Sequence, residues 1–116
     1  MGDFYCEQII PGKIKVDIIF ETNKVMAIHH PSPFWEKHVV ITPKTQIDSL
    51  SNYPNSEKLN FDFFEAIKFV TKMFEENYGG CRISSNIGNY QSNRHLHWYV
   101  HYGPRLRAEN GDQIKK

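Results

Sequence analysis

Arg94-His95-Leu96-His97-Trp98-Tyr99-Val100-His101 places three of the chain's six histidines within seven residues. Read as a β-strand, the stretch sends alternate side chains to opposite faces. His95, His97, Tyr99 and His101 then form one polar, titratable face, and Leu96, Trp98 and Val100 form an apolar one that can enter a core. Such a ribbon holds several imidazoles rigidly against a ligand. The polar loop ahead of it, Ile87-Gly88-Asn89-Tyr90-Gln91-Ser92-Asn93, runs directly into the first histidine.

Working outward, the segments before this ribbon read as further strands and one helix. Residues 15–21 are β-branched and partly alternating, residues 22–24 form a polar turn, and residues 25–29 return as the second arm of a hairpin. His30-Pro31-Ser32-Pro33 cannot continue the ladder, because proline has no N–H to give. Residues 34–37 are expected to be a loop, and residues 38–42 a third strand closed by Pro43. Residues 44–54 read as a short helix or irregular link anchored by Ile47 and Leu50. Leu59, Phe63, Ala66, Ile67, Val70 and Phe74 then recur at three- and four-residue spacing, which predicts a helix from Ser56 or Asn60 to Tyr78, stopped by Gly79-Gly80. Phe61, Phe64, Phe69 and Met73 lie off that stripe and suggest a partner subunit on a second face. Residues 81–86 read as a fourth strand, and the charged tail after Gly103 as mobile. Strands, then a helix, then strands predict an α+β fold with an antiparallel sheet.

The 116 residues fit one domain spanning 1–116, and 40% hydrophobic residues fit one modest core. A net charge of +1 gives no reason to expect bulk nucleic-acid binding. No apolar run approaches the length of a membrane span, and the first seven residues lack the pattern of a signal peptide. Cys6 and Cys81 are too far apart in sequence for a metal motif, so a reduced, cytoplasmic protein is expected. The alternating histidines admit three uses: metal ligation by His95, His97 and His101, acid–base and nucleophilic catalysis, or simple hydrogen bonding at a sheet surface. A neutral imidazole is nucleophilic near pH 7 and can carry a phosphoryl group transiently.

These residues also carry a resemblance. Gln91-Ser92-Asn93-Arg94-His95-Leu96-His97-Trp98-Tyr99-Val100 is similar to the signature of the histidine triad (HIT) superfamily of nucleotide hydrolases and transferases. The order and spacing of Ile18-Ile19-Phe20-Glu21, Ala27-Ile28-His29, Ser32-Pro33 and His38-Val39-Val40-Ile41-Thr42-Pro43-Lys44 extend the likeness over about residues 5–103. The nucleoside phosphoramidase-like branch matches best. The resemblance implies about five antiparallel strands with one long and one short helix, paired as a homodimer. It implies that His97 attacks the α-phosphorus of a small nucleotide and forms a nucleotidyl-histidine, that His95 orients the site, and that His29 buttresses it. It further implies that Asn86, Gln91 and Ser92 contact phosphate and that Asn23 faces a ribose. No cofactor is implied, and Asp3 and Cys6 do not recreate the zinc clip of some relatives.

Two departures from the family pattern bear on activity. Tyr99 stands where the third histidine is expected, and a phenol with a reference pKa of ~10 is a poorer acid than an imidazole. His101, two residues on, faces the same way and is expected to contact substrate and compensate in part, although it lies too far along the strand to replace Tyr99 directly. The loop before Gln91 is also short, with Tyr90 close to the phosphate cradle. The sequence therefore supports a HIT-like hydrolase or transferase acting through His97, and alternatively a nucleotide-binding protein with little turnover.

Overall fold

The computed structural model of the protein describes residues 9, 10, 12, 15–91 and 93–108. Five strands form one antiparallel sheet, β1 (Ile18–Glu21), β2 (Val25–His29), β3 (Trp35–Pro43), β4 (Arg82–Ser85) and β5 (Trp98–Arg105), in the order β1-β2-β3-β5-β4. A single long helix, α1 (Glu57–Tyr78), packs across one face. The fold is thus α+β, as the order of segments predicts. The second, short helix reduces to one 3-10 turn at Leu50–Asn52. Ile47 is buried there, but Leu50 is exposed and anchors nothing.

α1 forms where its apolar period starts and stops. The Ser56 hydroxyl accepts from the Leu59 N–H, and Gly79 closes the helix at φ 86°, a conformation glycine adopts without strain. Leu59, Phe63, Ala66, Val70 and Phe74 meet Val25, Ala27, Val39, Ile41, Leu96 and Val100 in the main core. Met26, Ile28 and Val40 face the other way and form a smaller cluster with Ile9, against which Tyr99 packs.

Strand parity follows from this division. In β3, residues 39 and 41 face the helix, so His38, Val40 and Thr42 face away. In β5, Val100 faces the helix, so Tyr99 and His101 face away. In β2, Val25 and Ala27 face the helix, and His29 shares their side. The face opposite the helix therefore collects His38, Tyr99 and His101 side by side, with His38 paired to His101 and Val40 to Tyr99 in the register.

The strand limits depart from the sequence reading at three places. β3 begins at Trp35, so the expected loop 34–37 is mostly strand. β5 runs from 98 to 105 rather than 94 to 101, because Pro43 on β3 has no N–H with which to continue the ladder toward Leu96. The Thr42 hydroxyl donates to the Leu96 carbonyl at 2.9 Å instead, and the Leu96 N–H donates to the Ile47 carbonyl at 2.7 Å. The chain after Gly103 is not a loose tail as far as it is described. The Leu106 N–H reaches the Phe34 carbonyl at 2.7 Å, and the Arg107 guanidinium reaches the Pro33 carbonyl at 3.3 Å. Readings made on residues 1–8, including Cys6, and on the chain beyond residue 108 fall outside the described residues.

Candidate active site

His97 sits at the mouth of β5 with both ring nitrogens engaged. Its Nδ1 lies 2.7 Å from the His95 carbonyl, and its Nε2 lies 2.9 Å from the Tyr99 hydroxyl. A carbonyl can only accept, so in the neutral ring Nδ1 carries the proton and Nε2 carries the lone pair. The Tyr99 hydroxyl then donates to that lone pair. His97 is 4% exposed, and the Ser85 hydroxyl fixes its backbone by donating to its carbonyl at 2.9 Å. The result is an imidazole with a defined tautomer and a defined orientation.

His95 is fully buried, with Nε2 2.7 Å from the Pro43 carbonyl, to which it donates. It ties residues 93–97 to the end of β3 and presents the carbonyl that sets the His97 tautomer. Gln91 works from the other side of the same segment. Its amide oxygen accepts from the Gly88 N–H, and its amide nitrogen donates to the carbonyls of Asp48 and Asn93. Those bonds occupy both ends of the amide, so Gln91 braces the loop rather than offering itself to a phosphate. Ser92 lies outside the described residues.

The histidine beside the triad is His30, not His29. His29 is exposed and lies on the helix side of the sheet by the parity of β2. His30, one residue later, stacks on His38 at 4.4 Å and sits 6.1 Å from the Tyr99 ring. The sequence reading passed over His30 as a loop residue beside Pro31. No local signal marks it, because Val25, Met26, Ala27 and Ile28 are all buried and the strand does not alternate in polarity. His38 also joins the site: its ring centroid is 4.6 Å from Tyr99 and 5.0 Å from Trp35.

Backbone amides set these two rings as well. The Ser32 N–H donates to His30 Nδ1 and the Phe34 N–H to His38 Nδ1, each at 3.0 Å. An Nδ1 that accepts cannot hold a proton, so both rings are neutral with the proton on Nε2. Burial, then His97 and Arg107, lowers the His30 pKa to about 4. Burial, then His30, His101, His97 and Arg105, lowers that of His38 to about 2. Its Nε2–H is buried with no hydrogen-bond partner among the described residues. Burial raises the Tyr99 phenol above its ordinary value.

The remaining predicted residues are spread around this centre. His101 is buried beneath Trp35, stacked at 3.7 Å, with Nε2 3.2 Å from the Ser84 hydroxyl. It faces a ring and a hydroxyl rather than His97, so it does not stand in for Tyr99. Burial, then Arg82 and Arg105, lowers its pKa. Asn86 lines a small pocket of about 140 Å³ together with Tyr99, Trp35, Ser84 and Arg105. Asn23 is exposed in the β1–β2 turn. Among the described residues no three His, Cys, Asp or Glu side chains converge as metal ligands would.

The family model of the HIT domain matches residues 12–105. Adenylylsulfatase HINT1 of Arabidopsis thaliana is 26% identical over 110 residues, covering 90% of this chain and 74% of that protein. An uncharacterized HIT-like protein of Buchnera aphidicola is 29% identical over 104 residues, covering 86% of this chain and 92% of its own. Among solved structures, a histidine triad protein from Clostridium difficile superposes with a TM-score of 0.74 at 26% identity, over 93% of this chain and 96% of that one. With the family model matched over residues 12–105 and the histidines gathered at the head of β5, this chain belongs to the HIT domain family.

Proposed function

We propose that the protein is a nucleotide hydrolase or nucleotidyl transferase that acts at the α-phosphate of a small nucleotide through His97. The observation that carries this reading is the state of the His97 ring, with Nδ1–H held by the His95 carbonyl and the Nε2 lone pair directed at the Tyr99 hydroxyl. In the first step Nε2 attacks the α-phosphorus, the bond to the leaving group breaks, and its electron pair departs with that group. In the second step water attacks the same phosphorus and gives up a proton to solvent, the P–N bond breaks, its electron pair returns to Nε2, and a nucleoside monophosphate leaves. The Tyr99 hydroxyl must turn away from Nε2 for the substrate to enter. It then faces the phosphate oxygens, to which it can donate.

Space on both sides of the imidazoles supports the reading. An open groove of about 470 Å³ lies against His30, lined by Lys15, Val16, Asp17, His29 and Pro31, and lies in the size range of ordinary ligand sites. We assign the nucleoside to it. Tyr99 is read as the occupant of the third triad position, and the likeness to the phosphoramidase-like branch is a likeness of strands and spacing. A homodimer is part of the same reading. Phe61 and Phe64 are 61% and 64% exposed on α1, and Ile83 is exposed on the edge strand β4, whose outer side has no strand partner among the described residues. No described helix is long and apolar enough to cross a membrane, and we read the protein as cytoplasmic.

A second reading rests on the hydrogen bond between Tyr99 and Nε2. If that bond persists with nucleotide bound, the protein binds without turnover. Intact-mass spectrometry during incubation with an adenosine 5′-phosphate derivative separates the two. A covalent adenylyl adduct, absent in His97→Ala, is expected. Nucleotide binding without an adduct or released monophosphate would leave the binding reading in its place.

A further inference from the structure

We propose that the pocket over Tyr99 is an oxyanion subsite, with Arg105 as its cation, so that the group leaving the α-phosphorus is a sulfate or a phosphate and not an amine. The inference rests on the nucleotidyl-transfer reading above and names the leaving-group class. Arg105 is half-buried at the end of β5, with its guanidinium 4.8 Å from the Trp35 ring and 5.9 Å from that of Phe34. Its Nε donates to the Arg107 carbonyl. No carboxylate among the described residues is in ion-pair range of it, although Glu36 on the facing strand lies over Gly103. The terminal nitrogens of this cation therefore have no acceptor among the described residues, and they stand beside a pocket that Asn86 also lines. A guanidinium in this setting presents paired N–H donors to a tetrahedral oxyanion.

Size and acid chemistry point the same way. About 140 Å³ is below the range of ordinary ligand pockets, which leaves room for a small oxyanion but none for a second nucleoside. Tyr99 lines the pocket, and its hydroxyl lies 2.9 Å from His97 Nε2. An amine leaving group must take up a proton as the P–N bond breaks, and a buried phenol is a poor source of one. Sulfate and phosphate leave as stable anions. The bond pair departs on the leaving oxygen, no proton is transferred in that step, and Arg105 offsets the charge that develops.

The test uses the full chain, Arg105→Gln, and Lys37→Gln as a control for charge, since Lys37 lies over Tyr78 on the helix side. Affinities for AMP and for α,β-methylene ADP, which adds a phosphate at the leaving position, are measured by calorimetry. Hydrolysis of adenosine 5′-phosphosulfate, ADP and adenosine 5′-phosphoramidate is followed in parallel. Wild type should bind the methylene diphosphate about ten- to a hundredfold more tightly than AMP, and Arg105→Gln should erase that ratio while leaving AMP affinity and the Lys37→Gln ratio unchanged. Hydrolysis of the phosphosulfate or ADP should exceed that of the phosphoramidate, the faster of the first two identifying the anion. An unchanged affinity ratio in Arg105→Gln, or faster hydrolysis of the phosphoramidate, would overturn the subsite. Failure of wild type to bind either nucleotide would overturn the functional reading and the subsite with it.

Discussion

Lowering the pH from 7 to 5 tests the His38 environment directly. Burial and the neighbouring His30, His101, His97 and Arg105 hold its pKa at about 2 in the fold, against about 6.5 in the unfolded chain. Between those values the unfolded chain binds a proton that the folded chain does not, so stability falls as pH falls. Each pH unit below 6.5 costs about 1.4 kcal/mol, which amounts to about 2 kcal/mol from His38 by pH 5. His30, lowered to about 4, acts with the same sign but is partly exposed and contributes less. His101 adds in the same direction. Above about pH 7 all three rings are neutral in both states, and stability should reach a plateau with respect to them. Asp62, whose pKa is lowered chiefly by the hydrogen bond from Lys58, acts in a separate window below the ordinary carboxylate range. Urea unfolding followed by tryptophan fluorescence at intervals from pH 8 to 5 gives the slope. His38→Asn keeps an acceptor for the Phe34 N–H but cannot titrate. Whatever its overall stability, its slope between pH 6 and 5 should be smaller than that of wild type by one proton, about 1.4 kcal/mol per unit. Identical slopes in the two proteins, or a flat wild-type profile from pH 7 to 5, would refute the assignment of a buried neutral His38.

Three further outcomes are expected. Tyr99→His restores an acid with a pKa near neutrality, and phosphoramidate hydrolysis should rise by about a hundredfold or more while phosphosulfate hydrolysis changes little, as read from steady-state kcat/KM. Gly103 has φ 87°, and a Cβ there would lie 2.8 Å from that of Glu36, so Gly103→Ala should lose about 1–3 kcal/mol in denaturant unfolding. Phe64→Glu places a charge on the exposed apolar face of α1 and should shift sedimentation velocity from dimer toward monomer, while a wild-type protein that sediments as a monomer would remove the dimer reading.

The helix and the number of strands were legible because each depends on local spacing, whereas the histidine ribbon is strand only from Trp98 onward, with His95 and His97 in the segment that leads into β5. The period of Leu59, Phe63, Ala66, Val70 and Phe74 fixes the helix face whatever it packs against, and Ser56 and Gly79 are chemical stops. What spacing could not supply was the pairing between distant segments. His29 was favoured over His30 by the family pattern alone, and the site face of β2 has no local signal because Val25, Met26, Ala27 and Ile28 are all buried and only docking of α1 sorts its two sides. Gln91 read as a phosphate contact from the family pattern, and its bracing bonds were not legible because one partner, Asp48, lies in a segment with no regular structure of its own. Trp35 and Phe34 read as loop aromatics because the bulged pairing of Trp35 with Arg105 has no local signal.

The same long-range pairing decides the chemistry. Backbone carbonyls of His95 and Pro43 take protons from His97 and His95, and backbone amides of Phe34 and Ser32 donate to His38 and His30. For His30 and His38 those bonds, together with burial, enforce the neutral ring. A site so arranged cannot draw its positive charge from these two histidines near pH 7. Charge developing on a phosphate or on its leaving group must then be met by N–H dipoles and by a residue that stays cationic at any pH, and Arg105 is the cation that the structure brings to the pocket over Tyr99.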